Sequence, residues 1–123
     1  MIDSHLGEFE ELILIAVLGL EDTESYAVPI QQHLSGKTGR HVTPGSVYRS
    51  LSRLENKGFL QSAMGEVTRA KGGKRKRFYS VTETGKEAVY AAREAREKLW
   101  KHVQQAASAL TLSPETKQRE AGS

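Results

Sequence analysis

Lys71, Lys74, Arg75, Lys76 and Arg77 crowd around a glycine pair, Gly72-Gly73. Two adjacent glycines permit a tight turn, and Phe78, Tyr79 and Val81 then resume the alternation of a strand. Cations carried on such a turn suit phosphates, because each Lys or Arg that neutralises a phosphate releases a condensed counterion. The span from Arg69 to Arg77 holds no acid, whereas Asp3, Glu8, Glu10, Glu11, Glu21, Asp22 and Glu24 gather near the start. That asymmetry favours a polyanionic partner on one face. The competing reading is a solvated basic loop without a partner.

A second set of candidates begins at Thr43-Pro44-Gly45-Ser46. Thr43 is the expected N-cap of a helix and Pro44 its first residue. Small residues let the backbone approach a phosphate, and free N–H groups at a helix start favour an anion. On the expected outer face, Ser46, Arg49, Ser50 and Arg53 oppose Val47, Leu51 and Leu54. Arg49 and Arg53 are long enough to reach guanine or phosphate. Tyr48 lies near the boundary of the faces, where its hydroxyl can meet a phosphate while its ring packs inward. Core packing is the plainer role for Tyr48, and a salt bridge or solvent the plainer role for Arg53.

The elements that must position these groups follow from periodicity. Phe9, Leu12, Ile13, Ala16, Val17 and Leu20 recur at helical spacing, so a helix is expected from about 6 to 20, with Ile15 and Leu18 widening its apolar stripe. A second helix is expected from about 26 to 34, capped by Ser25, with Pro29 in its first turn and a turn at Gly36 and Gly39. The third runs from 43 to 57, with Gly58 at its C-terminal cap. Residues 59–81 read as a β-hairpin wing whose tip is the basic loop. Thr82 caps a long fourth helix, 83–110, in which Ala88, Ala92, Ala95, Leu99, Val103 and Ala106 form a seam beside Trp100. The polar segment 111–123 has no periodicity and is expected to be frayed. Two apolar faces, carrying Phe9 and Ile13 on the first helix and Leu99, Trp100 and Val103 on the last, invite a second copy of the chain. The expected architecture is mainly α with a small hairpin: a winged helix-turn-helix over 1–82 and a dimerisation helix over 83–110.

Composition sets outer bounds. The 123 residues suffice for one modest core, and the charge is +3. Without cysteine there are no disulfides, thiolate nucleophiles or Cys-based zinc sites, which is consistent with a cytoplasmic setting. The apolar run Leu12 to Leu20 is far shorter than the roughly 20 residues of a membrane span, and the start lacks the pattern of a secretory signal. No enzyme pattern emerges. His5, His33, His41 and His102 are scattered, Lys74 lacks a Walker context, and Gly45-Ser46-Val47 lacks the second glycine of a nucleophile elbow. Neither a metal nor a cofactor is expected.

With the elements placed, the chain resembles the PadR family of bacterial winged-helix transcriptional regulators. Gly45-Ser46-Val47-Tyr48-Arg49-Ser50-Leu51-Ser52-Arg53-Leu54-Glu55-Asn56-Lys57-Gly58-Phe59-Leu60 is similar to the family's recognition helix, with its Tyr-x-x-Leu-x-Arg-Leu-Glu-x-x-Gly core. Arg77-Phe78-Tyr79-Ser80-Val81-Thr82-Glu83-Thr84-Gly85 is similar to the junction from wing to last helix, with Val81 in the usual Leu place. Tyr26-Ala27-Val28-Pro29-Ile30 resembles the opening of helix two, with Ala27 where Gly is common. The likeness spans about residues 6–103, and the single helix after the wing matches the compact branch. It implies homodimers on palindromic operators, usually repressors, with small aromatic effectors in some members. It also implies a place for Trp100 like that of the paired tryptophans that hold planar drugs in some compact members. The rival function is a winged-helix protein–protein interaction module without specific DNA binding, which would not need five cations in its wing. RNA binding is weaker still, since no exposed aromatic platform suits single strands.

Overall fold

Helix α1 (Glu8–Leu20) buries Ile13, Leu14, Ala16 and Val17 against α2 (Ala27–Thr38) and α3 (Pro44–Asn56). The hairpin strands β1 (Leu60–Met64) and β2 (Arg77–Val81) follow, and then helix α4 (Glu83–Ala109). These elements come from a computed structural model that describes residues 5–21, 23–65 and 75–109. Lys71, the Gly72-Gly73 pair, Lys74 and the segment 111–123 lie outside the described residues. The chain divides into two compact units, Met1–Val89 and Tyr90–Ser123.

Unit one holds the core. Ile13, Leu14, Val17, Ile30, Val47, Leu51, Leu54 and Phe59 are its largest fully buried side chains. Each is worth about 1.5–3 kcal/mol of transfer free energy. Ile13 is among them, with no exposed surface. Its expected place at a dimer or effector face is therefore corrected: α1 turns this residue inward, and the outward positions are Ile15 and Gly19.

Helix α2 departs from expectation at both ends. Its N-cap is Tyr26 in extended conformation, with no side-chain cap. Ser25 is buried instead, and its carbonyl accepts the Tyr79 N–H at 2.8 Å. The helix continues through Gly36 and stops at Gly39, whose φ of 70° is the left-handed conformation that glycine accepts without a Cβ penalty. Gln31 helps hold the exit, donating to the Val42 carbonyl at 2.8 Å.

Helix α3 follows its sequence signals. Thr43 Oγ1 accepts the Ser46 N–H at 3.2 Å, and Pro44 occupies the first position. Beyond the other end, Gly58 at φ 84° turns the chain so that the Phe59 N–H reaches the Leu54 carbonyl at 2.9 Å. An ion pair between the buried Glu10 and the half-buried Lys57 ties that end to α1. Lys57 Nζ lies 3.0 Å from Glu10 Oε1 and 2.9 Å from the His5 carbonyl, while Glu10 also accepts the Gly7 N–H at 2.9 Å.

The hairpin is antiparallel, pairing Leu60 with Val81 through to Met64 with Arg77. The far edge of β2 is covered as well: the Tyr79 N–H meets Ser25, and the Val81 N–H donates to Glu21 Oε1 at 2.7 Å. Thr82 closes the junction to α4. Its hydroxyl donates to the Gly58 carbonyl at 2.7 Å and accepts the Gly85 N–H at 3.0 Å. Gly85 is buried under this junction. A Cβ there would overlap the Phe59 carbonyl oxygen and sit 2.8 Å from Val81 Cγ1.

Unit two is described to Ala109. Its helix carries a charged stretch from Arg93 to Lys98, with Arg93–Glu97 and Lys98–Glu94 pairs one turn apart. Against that background Leu99 (70% exposed), Trp100 (65%) and Val103 (53%) form an uncovered apolar stripe.

Candidate nucleic-acid interface

The outer face of α3 carries Gly45, Tyr48, Arg49, Ser52 and Arg53, all exposed. Thr43, as N-cap, satisfies the Ser46 N–H, and the Ser46 hydroxyl donates back to the Thr43 carbonyl at 2.8 Å. Pro44 has no N–H, so the first-turn amide left for an anion is that of Gly45 rather than a row of donors. Arg49 folds back over this glycine, its Nη1 lying 3.3 Å from where a Gly45 Cβ would stand. Arg53 lies near the buried Glu10 and helps hold that carboxylate ionised. Ser50, expected outside, is buried, because α3 turns that position towards the core.

Tyr48 is 57% exposed, so its ring is not a core element. It lines a 420 Å³ cavity together with Tyr26, Ala27 and Val28 at the start of α2, Met64 of β1, and Arg75, Lys76, Arg77 and Tyr79 at the base of the wing. Tyr48 of α3 and the wing cations Arg75, Lys76 and Arg77 thus share one surface of the molecule. Among the described residues no carboxylate lines this cavity. Arg77 Nη1 donates to Ser62 Oγ at 2.9 Å, and Ser62 in turn donates to Glu55 Oε2 at 2.7 Å. Arg75 Nε donates to the Gly65 carbonyl at 3.0 Å, and Lys76 Nζ stands 5.6 Å from the centroid of the Tyr26 ring. Burial, aided by the Glu55 carboxylate, pushes the Tyr79 phenol above its usual 10.0.

Of the expected site residues, Thr43, Gly45, Ser46, Tyr48, Arg49 and Arg53 lie on or at the start of α3, and Arg75, Lys76 and Arg77 lead into β2. Lys71 and Lys74 fall outside the described residues. Phe9 is half-buried under the Arg40 guanidinium, 5.9 Å from its ring centroid, and Arg40 also pairs with Glu8. Val28 and Met64, at the rim of the cavity, were not legible as site residues, because each reads as an ordinary apolar position in its own element. Among the described residues no cluster of His, Asp and Glu could hold a metal, and no helix is long and apolar enough to cross a membrane.

Residues 14–91 match the sequence profile of the transcriptional regulator PadR-like family. The chain belongs to that family. Its PadR core thus runs from the middle of α1 into α4, covering the helix-turn-helix, the wing and the Thr82–Gly85 junction. The transcriptional regulator Rv3488 of Mycobacterium tuberculosis is 35% identical over 82 residues, covering 67% of this chain and 72% of the relative. A PadR-like transcription factor from Bacteroides fragilis superposes with a TM-score of 0.64 at 25% identity, covering 80% of this chain and 89% of that one. Bacillus subtilis PadR, solved in complex with operator DNA, shares the fold with a TM-score of 0.55 at 18% identity, over 68% of this chain and 46% of that one. Membership of a PadR-like family makes the chain a winged-helix transcriptional regulator, DNA-binding by homology, and not an enzyme.

Proposed function

We propose that this protein is a sequence-specific repressor in the cytoplasm that binds a palindromic double-stranded operator as a homodimer. The reading rests on the cavity that joins Tyr48 of α3 to Arg75, Lys76 and Arg77 of the wing base, since a helix and a basic wing on one surface can grip one duplex. Helix α3 enters the major groove. Thr43, Gly45 and Ser46 approach the backbone, and Arg49 reads base edges. Arg53, Lys71 and Lys74 add phosphate contacts, with the wing along the flanking backbone or minor groove. That Bacillus subtilis PadR was crystallised with operator DNA supports this use of the fold. Two wings would neutralise about six to eight phosphates, so affinity should fall with salt at a log–log slope of about −5 to −7. Titration against operator DNA at several salt concentrations tests this, and a slope near zero refutes it. A protein–protein module would show no shift with random DNA even at low salt.

The dimer reading is supported by the uncovered stripe of Leu99, Trp100 and Val103 and by the exposed Ile15 and half-buried Phe9 of α1. A two-fold axis would set the recognition helices about 34 Å apart, one turn of DNA. A monomer at micromolar concentration by light scattering would defeat it. The exposed indole of Trp100 also favours a second role: with its symmetry mate it would stack on a flat aromatic effector that releases DNA. Quenching of Trp100 fluorescence by planar aromatic compounds tests this, and no response to any of them leaves only packing.

A further inference from the structure

We infer that the cavity between the start of α2, Tyr48 and the wing base seats one sugar–phosphate unit of the DNA backbone and so fixes the register of α3 on the duplex; this rests on the DNA-binding reading above. Arg75, Lys76 and Arg77 line the cavity, no carboxylate is among its described lining residues, and Glu55 meets Arg77 only through Ser62. Like charges gathered at one opening repel one another, and an anion seated between Arg75 and Lys76 relieves that repulsion. They are also held in place beforehand. Arg77 is anchored to Ser62, Arg75 to the Gly65 carbonyl, and Lys76 rests over the Tyr26 ring. Donors fixed in advance lose little side-chain entropy when an anion arrives.

The rest of the lining matches the sugar next to that phosphate. Val28 and Met64 are exposed apolar side chains on the rim, and Tyr48 offers both an exposed ring and a hydroxyl. A free inorganic anion has no use for that apolar rim, whereas a deoxyribose does. The 420 Å³ volume is ample for one sugar–phosphate unit. Tyr48 sits one residue before Arg49, so a phosphate seated here sets how deeply Arg49 enters the groove. The contact is therefore expected at one fixed phosphate per half-site.

The test uses the full chain and the operator recovered by selection from a random pool. Methylphosphonate replaces one phosphate at a time along each strand. Wild type should lose about tenfold in affinity at one position per half-site, the worth of one charge-assisted hydrogen bond. In Lys76→Gln, and in Tyr48→Phe to a lesser degree, the loss at that position alone should shrink to under about twofold, with losses elsewhere unchanged. If every methylphosphonate costs Lys76→Gln the same factor that it costs wild type, the seat does not exist, although the regulator reading stands. Failure to bind any duplex removes both. Titration of the DNA-free protein with inorganic phosphate, followed by the amide resonances of Ala27 and Val28, separates the other source of the same chemistry. Binding weaker than about 1 mM is expected. Micromolar binding would make this a free-anion site and overturn the inference.

Discussion

Replacing Gly85 with alanine and Gly36 with alanine should shift stability in opposite directions. Both glycines lie in helices, α4 and α2, where alanine is intrinsically better by about 1 kcal/mol. At Gly36 a Cβ would meet nothing within 4 Å, so Gly36→Ala should stabilise by about 0.4–1 kcal/mol. At Gly85 a Cβ would overlap the Phe59 carbonyl oxygen, sit 3.0 Å from the carbonyl carbon and press Val81 Cγ1 at 2.8 Å. Two of those three atoms are backbone and cannot swing aside. Overpacking of this kind costs about 1–3 kcal/mol, and more when main chain must move. Set against the propensity gain, Gly85→Ala should destabilise by about 1–2 kcal/mol, lowering Tm by about 4–8 °C. Thermal unfolding of both variants by circular dichroism, at matched protein concentration, measures the pair. A Gly85→Ala protein that melts at or above wild type would show that the Thr82–Gly85 junction has room for a Cβ.

Three further outcomes follow from other parts of the molecule. Burial of Glu10 works to raise its pKa, but the Gly7 N–H, Lys57 and Arg53 outweigh it and bring the carboxyl below its ordinary 4.5. A depressed folded-state pKa gives stability that is present above 4.5 and lost as pH falls through the lower folded value; Glu10→Gln should therefore cost about 1–3 kcal/mol at pH 7 in urea unfolding, with the gap to wild type closing in acid. Replacing Lys74, Arg75 and Lys76 together with alanine should weaken binding to operator and scrambled duplexes alike and flatten the salt slope, whereas Arg49→Ala should blur preference at one or two positions, read by fluorescence anisotropy against single-base variants. Leu99→Asp should shift the protein from dimer to monomer in sedimentation velocity, since it puts a charge into the apolar stripe of α4.

The best-read parts of the sequence were those governed by local chemistry. Thr43-Pro44 and Gly58 bracket α3 because a cap, a helix-starting proline and a left-handed glycine each act within a few residues. The hairpin and the start of α4 at Thr82 were legible for the same reason. What escaped was tertiary. Gly36 is a turn former in isolation, yet α2 runs on through it to a stop at Gly39, beside the Gln31 bond to Val42. Ser25 reads as a cap in isolation, but its carbonyl finishes the edge of β2 at Tyr79, far along the chain from any local signal. Ile13 and Ile15 belong to one apolar stripe, and only packing reveals that the first is core and the second is surface. The Glu10–Lys57 pair joins the start of one helix to the end of another, which no spacing rule anticipates. At the interface itself, residue types pointed to Arg49 and the wing cations, but not to the cavity that gathers Tyr48, Val28 and Met64 around them.

Selection of bound duplexes from a random-sequence pool is the most direct test of the regulator reading. Enrichment of an inverted repeat with half-sites about one helical turn apart is the expected result, since paired α3 helices would read both halves at once. Recovery of a pool as random as the input, at salt low enough for the wing to bind, would contradict it.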